Sequence, residues 1–303
     1  MITYYKSSLK LPELKEIEKF EKGCWINVTN PTEEEISILE KEYDLYRQNI
    51  LAGLDKNEIP RFEVDEGQTY IITKTVSYSN KNDLQTLLIV ITDNFILTLS
   101  NQKTRFADDI ILGKKRFTTT QKLKSLIIIL SKINKDFEDT TLKIVRSVNS
   151  KKSSINELSE KDINTLLENE SILNNFVSNY FYISRVYNQT LKNIKFFEED
   201  KDIIEDMVID TKQGQELCQS ALTTISNIRN HYVIILSNKL NKVITLLTIF
   251  TVMISIPAAI SGLYGMNLVL PLQNSRYMFG AIVAFIIVIW TVLLIYFRKQ
   301  KLF

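Results

Sequence analysis

The pattern of apolar and polar positions changes twice along the 303 residues. Up to about residue 117, short apolar runs alternate with turn-forming residues. From there to about residue 242, apolar residues recur at spacings of three and four. Beyond Lys242 the chain is almost continuously apolar.

The first stretch predicts mixed α and β structure. Trp25 to Val28 forms a short strand. Asn30 is expected as the N-cap of a helix, with Pro31 in its first turn and Glu33 to Glu35 at the positive end of its dipole. Ile36, Leu39, Tyr43 and Tyr46 would share the buried face of that helix. Ile59-Pro60 is a break. Arg61 to Val64 pairs with Thr69 to Tyr78 across Asp65-Glu66-Gly67, and Leu84 to Thr92 pairs with Phe95 to Leu99 around Asp93-Asn94. The run Leu87-Leu88-Ile89-Val90-Ile91 predicts strands covered on both faces, which helices on both sides of a small sheet would provide.

The second stretch predicts helix alone. Glycine is absent from Lys114 to Gln213, and no proline occurs between Pro60 and Pro257. Leu123, Leu126, Ile127, Leu130 and Ile133 lie on one stripe. Long helices are expected at 118–150, 157–197 and 201–264, packed in a coiled-coil-like bundle. Breaks fall at Asn149 to Ser154 and at Glu198 to Asp202. The fold class is therefore an α/β domain, a long stalk helix and an apolar C-terminal hairpin.

The third stretch is a membrane pattern. Val243 to Leu263 and Tyr277 to Phe297 are each 21 residues without a charge. About 20 apolar residues cross a hydrocarbon core of ~30 Å, so both are expected to span. Lys239 and Lys242 precede the first span, Arg298, Lys299 and Lys301 follow the second, and the loop between carries only Arg276. Basic flanks belong on the cytosolic side. The N-terminus lacks the apolar core of a signal peptide. Both ends are thus expected in the cytosol, with the chain multi-pass in the plasma membrane. The expected divisions are a cytosolic α/β domain at 1–117, a helical bundle at 118–200 and a stalk at 201–242. The first span follows at 243–264, the outer loop at 265–276, the second span at 277–297 and a basic tail at 298–303.

Charge and chemistry narrow the function. A net charge of +2, evenly spread, speaks against nucleic acid as a partner. Cys24 and Cys218 fit no disulfide framework or zinc motif. His231 is the one imidazole, and no nucleophile, phosphate loop or metal-ligand cluster accompanies it, so an enzyme is not expected.

The first span has two unlike faces. At ~100° per residue, Asn241, Thr245, Thr248, Thr251, Ser255, Ala258, Ala259 and Gly262 share one arc. Leu246, Ile249, Phe250, Met253, Ile256 and Ile260 share the opposite one. A small, weakly polar face serves either close helix packing or a water-lined pore. A pore requires several copies of a two-span chain.

The first span ends in Gly262-Leu263-Tyr264-Gly265-Met266-Asn267, and here the sequence resembles CorA-type magnesium transporters. That family places Gly-Met-Asn at the outer end of the first of two C-terminal spans. The resemblance extends through Pro60-Arg61-Phe62-Glu63-Val64, the sheet, the helical pair and the stalk. It implies a funnel-shaped homopentamer in membrane lipid, with first spans lining a pore for divalent cations, Mg2+ foremost. Gly265, Met266 and Asn267 would form the selectivity filter. Asn241, Ile244, Leu247, Thr248, Ser255, Ala258 and Gly262 would line the pore, and Gly265 would let the chain leave the helix. The family's methionine constrictions are replaced, so a hydrophobic gate would rest on Ile244 and Leu247. The outer loop from Leu268 to Arg276 lacks the acid that some members carry.

The acids Glu198, Glu199, Asp200, Asp202, Glu205, Asp206 and Asp210 face a single base, Lys201. They read either as a solvated helix start or, by resemblance, as part of a regulatory Mg2+ site between subunits. Asp206 sits where one ligand would fall; the usual acidic partner is Ala52 here, with Asp55 nearby. The leading expectation is magnesium influx through a homo-oligomeric pore. A zinc, nickel or cobalt transporter of the same superfamily and a non-transporting membrane-anchored scaffold or sensor are the alternatives.

Overall fold

The computed structural model describes residues 1–9, 13–78, 83–113, 116–153, 155–266 and 277–299. They form two units, Met1–Ile228 and Arg229–Phe303.

A seven-stranded mixed sheet organises the first unit. In chain order its strands are β1 (Ile2–Lys6), β2 (Lys15–Ile17), β3 (Cys24–Thr29), β4 (Arg61–Asp65), β5 (Gln68–Val76), β6 (Leu84–Ile91) and β7 (Phe95–Ser100). Across the sheet the order is β2-β1-β3-β7-β6-β5-β4. The β4–β5 and β6–β7 hairpins fall at the turns expected from sequence. In the first, Glu66 and Gly67 hold φ of 44° and 80°, the pair of positive values that matches the twist of a two-residue hairpin. The sequence pattern does not announce the two N-terminal strands. They join the sheet through β3, which pairs in parallel with β7, Cys24 opposite Phe95 and Thr29 opposite Ser100.

Every residue of β6 from Gln85 to Ile91 is buried, because helices cover both faces. On one face Leu88 and Val90 pack with Ile36 and Leu39 of α1 (Glu33–Glu42) and Ile50 of α2 (Arg47–Leu54). On the other, Leu87, Ile89 and Ile91 pack with α3 (Arg105–Ile111), α4 (Lys122–Ser153) and α5 (Glu160–Asn193). The period-2 alternation of side chains divides one apolar run between two cores.

Two local expectations at α1 are corrected. Asn30 is not the cap, since its φ is +46°. Thr32 caps instead: its hydroxyl accepts from Glu35 N at 3.3 Å, and Glu35 Oε2 accepts from Thr32 N at 3.0 Å. A threonine followed three residues later by glutamate satisfies two otherwise unpaired donors at once, which Asn30 in a left-handed conformation does not. Tyr46 does not share the buried face of α1. The helix ends at Glu42, Asp44 turns the chain at φ 56°, and Tyr46 stands at the N-cap of α2.

The helix α6 (Glu198–Tyr264) runs 67 residues. Its first half buries Ile204, Met207, Val208, Cys218, Ala221, Ile225 and Ile228 in the core shared with α4 and α5. Gly214 permits the closest approach. A Cβ there would lie 2.4 Å from Tyr180 Cζ, and Tyr180 is fixed by its hydroxyl on Thr141 Oγ1 at 2.9 Å and by the rings of Phe137 and Phe176.

Gly214→Ala would gain ~1 kcal/mol of helix propensity and lose more by overpacking against a ring with nowhere to go. A net destabilisation of about 1–2 kcal/mol is expected, read as a lower thermal unfolding midpoint of the first unit's signal. An unchanged or higher midpoint would mean that Tyr180 relocates freely.

Candidate functional site

The second unit holds the remainder of α6 and α7 (Met278–Lys299). Among the described residues, α6 is long and apolar enough to cross a membrane, and only 6% of its most apolar 18-residue window is buried. So much apolar surface without a protein cover calls for lipid or other copies of the chain. α7 adds the apolar run Met278–Leu293.

The two faces of α6 meet different fates. Of the bulky arc, Ile249 is 3% exposed and Met253, Ile256 and Ile260 are half-buried, whereas Leu246 and Phe250 are exposed. On α7 the half-buried positions Met278, Ile282, Ile286, Ile289, Trp290, Leu293 and Phe297 recur at helical spacing along one stripe. The indole N–H of Trp290 donates to Met253 O at 3.0 Å, so the α7 stripe meets the bulky arc of α6. Asn241, Ile244, Leu247, Thr248, Ser255, Ala258 and Gly262 all stay exposed. Thr245 departs from the sequence wheel: it is half-buried at the edge of the packed arc.

The hydroxyls on the open arc are partly committed. Thr248 Oγ1 donates to Ile244 O at 2.8 Å, Thr251 Oγ1 to Leu247 O at 2.9 Å and Ser255 Oγ to Val252 O at 3.1 Å. Each spends its one proton on its own helix, so the lone pairs that remain can only accept.

At the end of α6, Gly265 N still donates to Ser261 O at 2.8 Å. Gly265 does not take a left-handed φ. A Cβ there would sit 3.2 Å from Ser261 O, so the glycine serves close packing of the last turn. Met266 is exposed. Asn267 lies outside the described residues, as does the rest of the outer loop to Arg276.

The acids expected to sense Mg2+ lie on separate elements. Asp206 is exposed on α6. Asp55 is exposed at the C-cap of α2, its Oδ1 accepting from Asn57 N at 2.8 Å. It opens on a cleft with Glu58, Arg61 and Glu63, where Arg61 pairs with both glutamates. Among the described residues of one chain, no three His, Cys, Asp or Glu side chains converge on a metal position. Of the other stalk acids, Asp210 accepts from Asn134 Nδ2 at 3.0 Å and Glu198 pairs with Lys201 at 2.6 Å.

The Asp55 corner is pinned from below by a residue that the sequence pattern does not single out. Lys74 of β5 is 5% exposed. Its ammonium donates to Lys56 O at 2.5 Å and to Thr86 Oγ1 at 2.8 Å, and Thr86 in turn donates to Asp55 O. Burial pushes the Lys74 amine down to about 8, against the pull of Asp55 and Glu58. The available signal is a lone cation inside the strand sequence Tyr70-Ile71-Ile72-Thr73-Lys74-Thr75-Val76.

An apolar, uncovered helix pair joined to an α/β body defines the class, a membrane protein with a large extramembrane part. The sequence profile of the CorA-like Mg2+ transporter protein family matches residues 20–299, and the chain belongs to that family. The cobalt/magnesium transport protein CorA of Methanocaldococcus jannaschii is 27% identical, with 97% of this chain and 96% of the relative covered. The magnesium transport protein CorA of Helicobacter pylori is 21% identical, with 91% and 89% covered. The complete structure of the CorA magnesium transporter from M. jannaschii superposes with a TM-score of 0.84 at 22% identity, covering 99% of this chain and 98% of that one.

The Lys74 amine has a pH signature of the less common sign. Its folded pKa, about 8, lies below the unfolded value of 10.5. Below pH 8 both states carry the proton and the burial cost is fully present. Between 8 and 10.5 the unfolded chain binds more protons, so stability rises with pH. The interval corresponds to at most about 3 kcal/mol. Denaturant unfolding of the parent and of Lys74→Met across this range should show a rise that the variant lacks. Parallel curves would place the charge in solvent.

Proposed function

We propose that the chain carries divalent metal cations, Mg2+ foremost, inward across the plasma membrane through a pore formed by a ring of identical copies. The observation that carries this reading is the division of α6. α7 packs on the bulky arc around Ile249, Met253, Ile256 and Ile260, while the arc bearing Thr248, Thr251 and Ser255 is left open. Membership of the CorA-like family and the names of the two relatives support divalent cations as cargo. The number five for the ring rests on the resemblance.

The open arc suits a hydrated cation. Mg2+ gives up its water reluctantly, and the waters around a cation point their hydrogens outward. A wall of hydroxyls whose protons are already committed offers acceptors to those hydrogens. Asn267 would supply the same chemistry at the outer mouth, its amide oxygens accepting from the water shell. Neutral dipoles bind weakly enough for the ion to leave. Ile244 and Leu247, both exposed on the open arc, would form the apolar constriction that closes by excluding water. Both chain ends would lie in the cytosol, where Asp206 of one copy and Asp55 of the next would hold a regulatory Mg2+. The relative named for cobalt as well as magnesium favours cobalt as a second cargo.

Uptake by the purified chain in liposomes, compared for magnesium, cobalt and zinc with and without a proton gradient, tests the cargo and the driving force. Asn267→Ala should abolish magnesium uptake with the oligomer intact, at a stability cost of about 1 kcal/mol or less. Asn267→Asp should tighten binding and slow release, because one charge per copy around a narrow ring attracts a divalent ion strongly. Normal flux through Asn267→Ala would sink the filter assignment.

The regulatory reading has its own test. Millimolar magnesium should protect the first unit from proteolysis, and Asp206→Ala should weaken that protection, since a bridging site loses affinity with each ligand removed. Equal protection of parent and variant would leave the stalk acids as a solvated face.

A further inference from the structure

Residue 257 of α6 is a proline. Proline has no N–H, so the carbonyl four residues back, that of Met253, loses its helical donor. In a hydrocarbon environment no water replaces it. The nearby hydroxyls are spoken for: Thr251 bonds Leu247 O and Ser255 bonds Val252 O. The donor that reaches Met253 O is the indole N–H of Trp290, at 3.0 Å, from the other apolar helix. Indole is a donor only, and Trp290 and Met253 are both half-buried on the faces where α6 and α7 meet. The helix stays continuous through Pro257 to Tyr264.

The geometry points to Trp290 as a positioning residue for cation conduction. It stands in for the hydrogen bond that Pro257 deletes, and it thereby fixes the setting of α6 at the level of Ser255 and Ala258 on the open arc. The inference rests on the transport reading above. The bond ties the orientation of the pore-facing segment to the position of α7. Without it, Met253 O would draw α6 toward another donor or open the local turn to water, and the open arc would turn with it.

A double-substitution cycle separates this role from simple filling of space. Trp290→Phe keeps an aromatic ring and removes the donor. Pro257→Ala returns an N–H to the helix, so Met253 O regains its ordinary partner. Magnesium uptake and the thermal unfolding midpoint are measured for the full-length parent, both single variants and the double variant. Trp290→Phe should lower uptake about fivefold when Pro257 is present, the scale of losing one hydrogen bond between membrane helices. Combined with Pro257→Ala, it should change uptake less than about twofold, and its effect on the midpoint should shrink in parallel. Equal effects in both backgrounds, or none in either, would overturn the proposal. A parent without cation flux would overturn the conduction role together with the transport reading. The midpoint cycle would then still report whether Trp290 and Pro257 are coupled, which keeps the two failures apart.

Discussion

A backbone N–H or C=O inside a membrane has no solvent to fall back on. That constraint dictates the form of the second unit: two helices, each closing its own hydrogen bonds. It also gives weight to the place, among the described residues, where a proline breaks the rule. Pro257 removes a donor from α6, and the indole of Trp290 restores one to Met253 O. The side of α6 around Ile249, Met253, Ile256 and Ile260 is therefore the one that faces α7, and the arc of threonine, serine, alanine and glycine is left for whatever else α6 meets. The same constraint acts on side chains. Thr248, Thr251 and Ser255 each turn their proton back to their own helix, so the surface they present is one of acceptors.

The first unit solves a more ordinary problem with a two-faced sheet. Alternate residues of β6 feed two separate cores, and the helices on each side are there to cover them. α6 contributes to one of those cores through its first half and leaves most of its second half exposed. Lys74 shows the same sheet burying an amine while tying Lys56 O, Thr86 and Asp55 O together at one corner.

Much of this is legible in sequence where the signal is local. The Asp65-Glu66-Gly67 and Asp93-Asn94 turns mark hairpins because polar, turn-forming residues separate two apolar runs, with Gly67 supplying a positive φ in the first. The run Leu87 to Ile91 marks burial on both faces because no polar residue interrupts it. The two arcs of α6 follow in part from side-chain size, with Thr245 half-buried and Leu246 and Phe250 exposed against it. Legibility fails where a contact depends on residues far apart in the chain. The β3–β7 pairing joins positions some seventy residues apart, and no pattern in either strand names the other. The partner of Met253 O depends on the register between two helices, so Pro257 could announce a missing donor and not identify Trp290. At α1 two capping signals lie within three residues of each other, and the reciprocal Thr32–Glu35 pair prevails over Asn30. Asn267 lies outside the described residues, and the role proposed for it rests on the motif and its place after the span.

The parallel β3–β7 pairing sets a schedule for biosynthesis. Cys24–Thr29 leaves the ribosome well before Phe95–Ser100, its neighbour in the sheet. At ordinary elongation rates the delay is roughly 4–14 s. Throughout it Cys24-Trp25-Ile26-Asn27-Val28 stands with an unpaired edge and an apolar face, while the antiparallel pair with β1 is the one contact it can make locally. A nascent chain in that condition is exposed to the wrong strand of a neighbouring nascent chain. The edge of β3 that β7 fills is thus completed only once the chain has been made as far as Ser100.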